Sequence, residues 1–280
     1  MPAVAMPRDR DSAPVASFVL PVSGLAVSLR APTGAEEVLL AEGRVEDAAL
    51  ALALAQRLGR ADADVDWSGL SITDIDVLIA RLRIAMVGDR VIGEAACVSP
   101  ACGEKVDLSF RLSDWLDHHR PRRGLPKGRG WRAEPASDAP GWYVLTVRDE
   151  DVARFRAPTL ADQIAVQDAA DPAAALAERV VAPAGLPVRL RVRAEAAMEM
   201  LAPALAGPMQ GQCPHCGAAL TALFHPRQYC LRELRDRARF VYDDIDALAE
   251  RYHWSEQAIL RLPAQRRSQY VERARQARAA

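Results

Sequence analysis

Long apolar runs are missing from this sequence, and no segment approaches the roughly 20 consecutive apolar residues that a membrane-spanning helix needs. Residues 1–17 also lack the continuous apolar stretch of a secretory signal peptide. Aromatic residues make up only 5% of the chain although 50% of it is hydrophobic, so Ala, Leu, Val and Ile must supply most of the core. We therefore expect a cytoplasmic protein with a disordered N-terminus over residues 1–17.

An excess of charge of either sign is also missing. The formal net charge is -1, from 36 Lys and Arg residues against 37 Asp and Glu residues. Because a nucleic-acid-binding domain usually carries net positive charge, nucleic acid is an unlikely partner. Arg-rich stretches at residues 120–132 and 261–278 still leave one alternative open, a zinc-ribbon nucleic-acid-binding or adaptor protein.

Catalytic signatures are absent as well. The sequence contains no Gly-rich phosphate loop, no His-Glu-x-x-His helix and no Gly-x-Ser-x-Gly elbow. No nucleophile stands at a suggestive spacing from a base. We expect no enzymatic activity and no catalytic residues; an open metal coordination sphere would instead favour a metal-dependent enzyme.

Cysteine is scarce but patterned. Four of the five cysteines form two close pairs, each followed directly by glycine: Cys97 and Cys102 before Gly103, and Cys213 and Cys216 before Gly217. In a reducing compartment such pairs indicate metal ligands before disulfides. Two such knuckles supply four sulfurs, which is a closed tetrahedral set for structural Zn²⁺. The sequence predicts one shared zinc site; separate incomplete sites, a site between chains and plain core packing are the alternatives.

Three other residues could in principle join this site. Cys230 lies in an apolar stretch and is better explained by packing. His215 and His225 are close enough in sequence to replace a thiolate, but each is more simply a polar surface residue.

Two similar series of elements follow one another along the chain. The string Arg-Ala-Pro-Thr occurs at residues 30–33 and 156–159, each time after a candidate β-hairpin. Glu36 and Asp162, three residues after the threonines, complete capping-box patterns that predict helix starts. Further helices are expected at residues 47–58 and 71–87 in the first series, and at residues 171–181 and 194–206 in the second. Each series then reaches its cysteine pair, so we infer an internal duplication.

This pattern predicts an α+β fold of duplicated units (β-hairpin, helices and cysteine knuckle), joined by a zinc-ribbon-like site and followed by an all-α C-terminal tail. The first repeat covers residues 18–119 and the second covers residues 142–226. Residues 120–141 are rich in Pro, Gly and Arg and predict a mobile linker. The tail covers residues 227–280, with one long helix at residues 228–251, a short one capped by Ser255, and a last one that starts at Pro263.

Three segments carry a resemblance to a known family: the knuckle at residues 97–103, the helix start at residues 71–76 with residues 87–90, and the tail at residues 252–267. They resemble the baseplate hub assembly chaperone family of contractile phage tails and phage-tail-like contractile injection systems. The resemblance implies a cytosolic assembly factor, either a chaperone or a minor component. Its partners would be baseplate or hub proteins. This sequence departs from the smaller members by its duplication and its second knuckle.

The C-terminal tail is a candidate partner-binding segment, because an amphipathic helix can insert its apolar residues into a groove of a hub protein. The alternative is a helical hairpin that folds on its own core. The candidate partner-binding residues are Trp254, Ile259, Leu260, Leu262, Arg266, Arg267 and Tyr270.

Overall fold

The computed structural model describes residues 14–44 and 48–279. Its strands are β1 Ala16–Val19, β2 Ala26–Leu29, β3 Gly59–Arg60, β4 Arg90–Ala96, β5 Lys105–Arg111, β6 Lys127–Gly128, β7 Trp131–Pro135, β8 Trp142–Val147, β9 Glu150–Arg156, β10 Val181–Ala182, β11 Gly207–Gln212 and β12 Ala219–Phe224. Its helices are α1 Gly34–Glu42, α2 Ala48–Leu58, α3 Ile72–Val87, α4 Leu112–His118, α5 Leu160–Val166, α6 Pro172–Val180, α7 Val188–Leu201, α8 Pro226–Ala238, α9 Val241–Tyr252, α10 Glu256–Leu260 and α11 Ala264–Ala279.

The mixture of helices and sheets, with a helical C-terminal region, confirms the α+β prediction. Of the N-terminus expected to be disordered, residues 1–13 lie outside the described residues. Ala16 and Ser17 belong to β1, so that expectation is wrong for its last two residues. The predicted start of α2 at Asp47 also lies outside the described part. No helix within that part is both long enough and apolar enough to cross a membrane.

The first series of elements forms a three-stranded antiparallel sheet, β1-β2-β3, with α1, α2 and α3 packed around it and the β4–β5 hairpin after α3. Leu29, Leu54 and Leu78 are fully buried in the largest hydrophobic cluster, called here the main core. Leu160 and Leu231 of later helices belong to the same cluster. Hence the main core contains residues from both series.

The two Arg-Ala-Pro-Thr segments fold in the same way. The Thr33 N–H donates to the Glu36 carboxylate over 2.9 Å, and the Thr159 N–H donates to Asp162 over 3.0 Å. Each carboxylate also accepts from the arginine six residues before it. Both predicted helix starts are therefore confirmed, because each acid satisfies a free amide of the first turn and pairs with a cation at the same time.

The third capping-box prediction is only half right. The Ser71 hydroxyl accepts from the Asp74 N–H over 3.0 Å, but the Asp74 carboxylate does not return to Ser71. Its two oxygens instead accept from the Val22 and Ser23 N–H groups of the β1–β2 turn, each over 2.9 Å. The buried carboxylate thus joins the start of α3 to the first hairpin.

The expected mobile linker at residues 120–141 is a second correction. Residues 127–135 form β6 and β7, which complete a five-stranded sheet of order β10-β9-β8-β7-β6. Ala133 is fully buried and Trp131 packs beside it in a second hydrophobic core, with Leu145 and Phe155 from β8 and β9. This Gly- and Pro-rich stretch joins the sheet for two reasons. Alternate side chains of β7 point into the second core, and the backbone of β7 forms hydrogen bonds with the edge of β8.

The tail differs from its prediction in two ways. The long helix expected at residues 228–251 is broken at Arg239 and Phe240 into α8 and α9. Helix α8 packs against α3 and α1, and its Leu234 lies in the main core, so the tail does not begin as a separate unit at residue 227. Leu248 of α9 packs instead with Ile259 and Val271 in a cluster of the C-terminal helices. The predicted helix is interrupted because α8 and α9 bury their apolar faces against different neighbours.

Candidate metal centre

Two hairpin tips carry the four paired cysteines. The Cys97 N–H donates to the Glu104 carbonyl over 2.9 Å and closes the β4–β5 tip, while the Cys213 N–H donates to the Ala218 carbonyl over 2.8 Å and closes the β11–β12 tip. Gly103 and Gly217 have φ angles of 62° and 74°. This left-handed conformation favours glycine, which explains why glycine follows the second cysteine of each pair.

The two tips bring the four sulfurs together. The Sγ atoms of Cys97 and Cys216 lie 3.7 Å apart, and those of Cys102 and Cys213 lie 3.9 Å apart. All four sulfurs are within 4.8 Å of one another. Four sulfurs at the usual Zn–S distance in a tetrahedron would be separated by about 3.8 Å. The described residues therefore form a cluster with the dimensions of a metal site, and each hairpin supplies half of it.

Burial of the cluster is uneven. Cys97 and Cys213 are buried, Cys102 is partly buried and Cys216 is exposed. Val106 and Leu220 pack against the buried pair as a small apolar cluster of their own, separate from the main core. One side of the site therefore lies against apolar side chains, and the other side faces solvent.

The thiols are not equivalent in acidity. Burial raises the pKa of Cys213, but the backbone N–H groups of His215 and Cys216, together with the neighbouring thiols, lower it to about 7. The Glu104 N–H lowers the pKa of Cys102, yet burial and its hydrogen bonds with the other cysteines raise that pKa to about 12. The Cys213 thiolate thus forms readily, and its negative charge disfavours ionisation of a second thiol nearby. Four thiolates at these distances therefore need a cation between them.

The other candidate ligands lie elsewhere. Cys230 is fully buried in the main core, where burial raises the pKa of its thiol, in keeping with a packing role. His215 and His225 are exposed, and neither belongs to the cysteine cluster. In the described part of the chain, the four paired cysteines are the one group of three or more His, Cys, Asp or Glu side chains with this geometry.

An aromatic contact joins the two hairpins at the end opposite the cysteines. The rings of Phe110 and Phe224 meet edge to face, with their centroids 5.1 Å apart, and Trp115 packs on Phe224 at the same distance. The Trp115 indole N–H also donates to the Leu205 carbonyl over 3.0 Å. Sequence reasoning noted the two phenylalanines only as strand ends and missed Trp115, whose only signal was its position just after the first hairpin.

The candidate partner-binding residues fall into two groups. Ile259, Leu262 and Arg267 are buried within the chain, so they do not form an exposed anchor in this conformation. Arg266 is exposed. The partly buried residues of the set are Trp254, Leu260 and Tyr270. The rings of Trp254 and Tyr270 meet edge to face with their centroids 5.0 Å apart, since the C-terminal helices fold into a hairpin around their own apolar residues.

Arg267 attaches this helical hairpin to the rest of the chain. Its guanidinium pairs with Glu37 of α1 and with Asp244 of α9, the latter over 3.0 Å, while only 3% of the residue is exposed. Changing Arg267 to Ala should therefore lower the free energy of unfolding by roughly 3 kcal/mol, because the partly buried carboxylates of Glu37 and Asp244 would lose their cation. Urea titration measures this loss, and hydrogen exchange should rise selectively in α10 and α11.

The neighbouring Arg266 provides a matched control. It is exposed and adjacent in sequence, so Arg266→Ala should change the free energy of unfolding by less than about 0.5 kcal/mol. Equal losses in the two variants would show that the ion pairs of Arg267 do not attach the tail.

A cavity of about 460 Å³ lies between the start of α3 and helices α5, α6, α7 and α8. Asp76 lines it, and burial raises the pKa of that carboxyl to about 6 although Arg227 lowers it. The nearest nitrogen of Arg227 is 3.2 Å from Asp76 Oδ1, but neither atom has a well-oriented hydrogen bond. The residues that line it include Thr73 and His225 but none of the four paired cysteines.

Comparison with protein-family models, with curated proteins and with solved structures finds no match to this chain.

Proposed function

We propose that this protein is a non-enzymatic assembly factor, a chaperone or a minor component, for the baseplate or hub of a phage-tail-like contractile injection system. A structural zinc ion would stabilise it. The observation that carries the structural half of the proposal is the convergence of four Sγ atoms from two distant hairpins. The biological half rests on the resemblance of residues 71–76, 97–103 and 252–267 to the hub assembly chaperone family.

Zinc is the metal that best suits this donor set. Four soft thiolates at tetrahedral spacing are typical of closed structural zinc sites. The four ligands would be Cys97, Cys102, Cys213 and Cys216. Such an ion neutralises the thiolates and leaves no coordination position for water, so its contribution would be to folding and not to catalysis. A cytoplasmic location fits this chemistry, because reduced thiols are required.

Internal duplication and a zinc-ribbon-like junction are part of the proposal. The order β1-β2-α1-α2-β3-α3-β4-β5 recurs as β8-β9-α5-α6-β10-α7-β11-β12. Two further parallels support it: β3 pairs back onto β2 as β10 pairs back onto β9, and both knuckles lie at the tips of the last hairpins. The metal would then join equivalent tips of two related units.

The test is capture of a hub or baseplate protein. The full chain would be co-expressed with individual hub and baseplate proteins of a contractile particle, and complexes would be isolated by affinity and size-exclusion chromatography. We expect a stoichiometric complex with one hub or baseplate protein. If the chain binds zinc but captures no hub or baseplate protein, the proposed assembly role is refuted and the proposed metal site is not.

The same preparations test the alternative of a nucleic-acid binder. Salt-dependent retention of the chain on nucleic acid, without particle proteins, would favour that alternative. Of the arginines in the two Arg-rich stretches, Arg267 is buried in ion pairs and would not contact phosphate, whereas Arg129 and Arg132 are exposed.

A further inference from the structure

One small docking contact occurs twice among the residues that the structure describes. Ser71 and Thr159 form an isolated antiparallel bridge, in which the Ile72 N–H donates to the Pro158 carbonyl and the Leu160 N–H donates to the Leu70 carbonyl, both over 3.0 Å. Thr33 and Pro263 form the second isolated bridge. In both cases the threonine of an Arg-Ala-Pro-Thr segment, which begins a capped helix, pairs with the residue just before another helix.

The receiving segments share a pattern. Leu70-Ser71 stands directly before α3, and Leu262-Pro263 stands directly before α11. The capped helix α5 rests on α2, α3 and the 3-10 turn Trp67–Gly69, and the capped helix α1 rests on α8, α9 and the short helix α10. In both receivers, a helix and a short helical segment precede the helix start that carries the bridge.

A third segment has the same pattern but no bridge. Leu186-Pro187 stands directly before α7, after α6 and β10, in the position that Leu70-Ser71 occupies in the first series. Among residues 14–44 and 48–279, no isolated bridge forms there. Val188 and Val192, one turn apart on α7, are 65% and 54% exposed. In α3, by contrast, the residues from Thr73 to Ala80 are all buried.

We propose that residues 186–192, called here the α7 entry, bind a capped helix of a partner protein by this same contact. The partner would pair an extended Pro-Thr or Pro-Ser dipeptide with Leu186 and Pro187, and an apolar residue of its first turn would cover Val188 and Val192. This inference rests on the proposed function in one respect, that a protein partner exists for an assembly factor to hold.

Charge complementarity adds to the description of that partner. In the docked α1, the fourth helical residue is Glu37, which pairs with Arg267, the fourth residue of α11. In the docked α5, the fourth residue is Gln163, which accepts over 2.9 Å from Arg227 of α8 and not from a residue of the receiving helix α3. The fourth residue of α7 is Arg191, about half exposed and 3.6 Å from Glu195. The partner helix should therefore carry an acidic residue at its fourth position.

The occupant is a different protein because both helices of this chain that begin at an Arg-Ala-Pro-Thr segment are already engaged. Thr33 is paired with Pro263 and Thr159 with Ser71, so a second copy would have to release one of its own helices before it could dock. That release would expose Leu160, which is fully buried in the main core.

A peptide provides the direct test. The probe is a labelled copy of residues 28–42 with Gly34→Leu, which supplies the apolar first turn, held helical by a side-chain lactam and titrated into the full chain by fluorescence anisotropy. We expect saturable binding that weakens at least tenfold with Val188→Asp and with Arg191→Glu. A probe carrying Glu37→Lys should recover binding to the Arg191→Glu chain, because the two charges are exchanged.

Leu223→Asp is the matched control, since Leu223 is also 65% exposed but lies on β12, and it should leave binding unchanged. The inference would be overturned if the labelled peptide did not bind saturably, or if Val188→Asp and Arg191→Glu bound it as tightly as the unchanged chain. A dimer in sedimentation velocity that Val188→Asp dissociates would overturn the choice of occupant in favour of a second copy. None of these results depends on hub capture, so the proposed function is tested separately.

Discussion

Replacing either Cys97 or Cys213 with Ser should remove the proposed zinc completely, from one ion per chain to none. The reason is that each hairpin supplies only two of the four sulfurs, and the loss of one sulfur opens a closed site. Structural zinc sites in small domains contribute on the order of 10 kcal/mol of folding free energy. Metal analysis by mass spectrometry, together with thermal unfolding, measures the loss.

The consequences should be concentrated at the hairpin tips. The cysteines form their own cluster with Val106 and Leu220, apart from the main core. Hydrogen exchange should therefore rise first in β4, β5, β11 and β12, while the core helices keep most of their protection. Chelation of zinc from the unchanged protein should reproduce the same exchange pattern.

Cys230 provides the control for this experiment. Cys230→Ala removes a thiol that is fully buried in the main core, outside the cluster, so we expect one zinc per chain to remain with a loss of roughly 1 kcal/mol from the small cavity. Retention of the metal by one of the two Ser variants would mean that the hairpins do not share an ion. An unchanged protein without zinc would contradict the site altogether.

Changing Arg83 to Met should lower the free energy of unfolding by about 3 kcal/mol, the low end of the loss for a buried ion pair, because Arg83 is buried but 31% of the Glu233 side chain is exposed. Arg83 is 2% exposed and lies in α3. Its guanidinium donates to Glu233 of α8 over 2.5 Å and to the carbonyls of Gly88 and Arg90 over 2.5 and 2.7 Å. Methionine keeps much of the volume but satisfies none of these acceptors.

Urea titration gives the change in unfolding free energy, and Arg232→Met is the matched control because Arg232 lies on α8 beside Glu233 but is exposed. The control should lose less than about 0.5 kcal/mol. Zinc content should stay at one per chain in the Arg83 variant, since the arginine belongs to the junction of α3, β4 and α8 and not to the hairpin tips. A loss as small as that of the control would show that this junction does not depend on Arg83.

Features set by neighbours in the sequence could be predicted. The capping boxes at Thr33 and Thr159 depend on residues three positions apart, and the first strands of both series depend on short alternating stretches. The two cysteine pairs were recognisable for the same reason, because the glycine after each pair marks the turn. That the pairs meet was inferred from the number of sulfurs that a metal needs, and the folded chain brings them within 4.8 Å.

Features set by distant contacts could not. Residues 127–135 have the composition of a linker, yet they join a sheet. They do so because β7 pairs with the edge of β8 and because Trp131 packs against the second core. Arg267 looked like an exposed cation in an Arg-rich tail, but Glu37, 230 residues earlier, buries it in an ion pair. No local pattern marks Arg83 as the centre of a junction between α3, β4 and α8.

By itself, the sequence determined where helices and hairpins begin, which residues cap them, and which four cysteines can serve one metal, because these depend on φ preferences, capping hydrogen bonds and ligand spacing within a few residues. Only the tertiary structure decided which edges pair, which arginines are buried, and that two capped helices dock while the α7 entry stays open. Those outcomes depend on which surfaces are buried against each other and removed from water. Residues far apart in the sequence are buried together only in the folded chain.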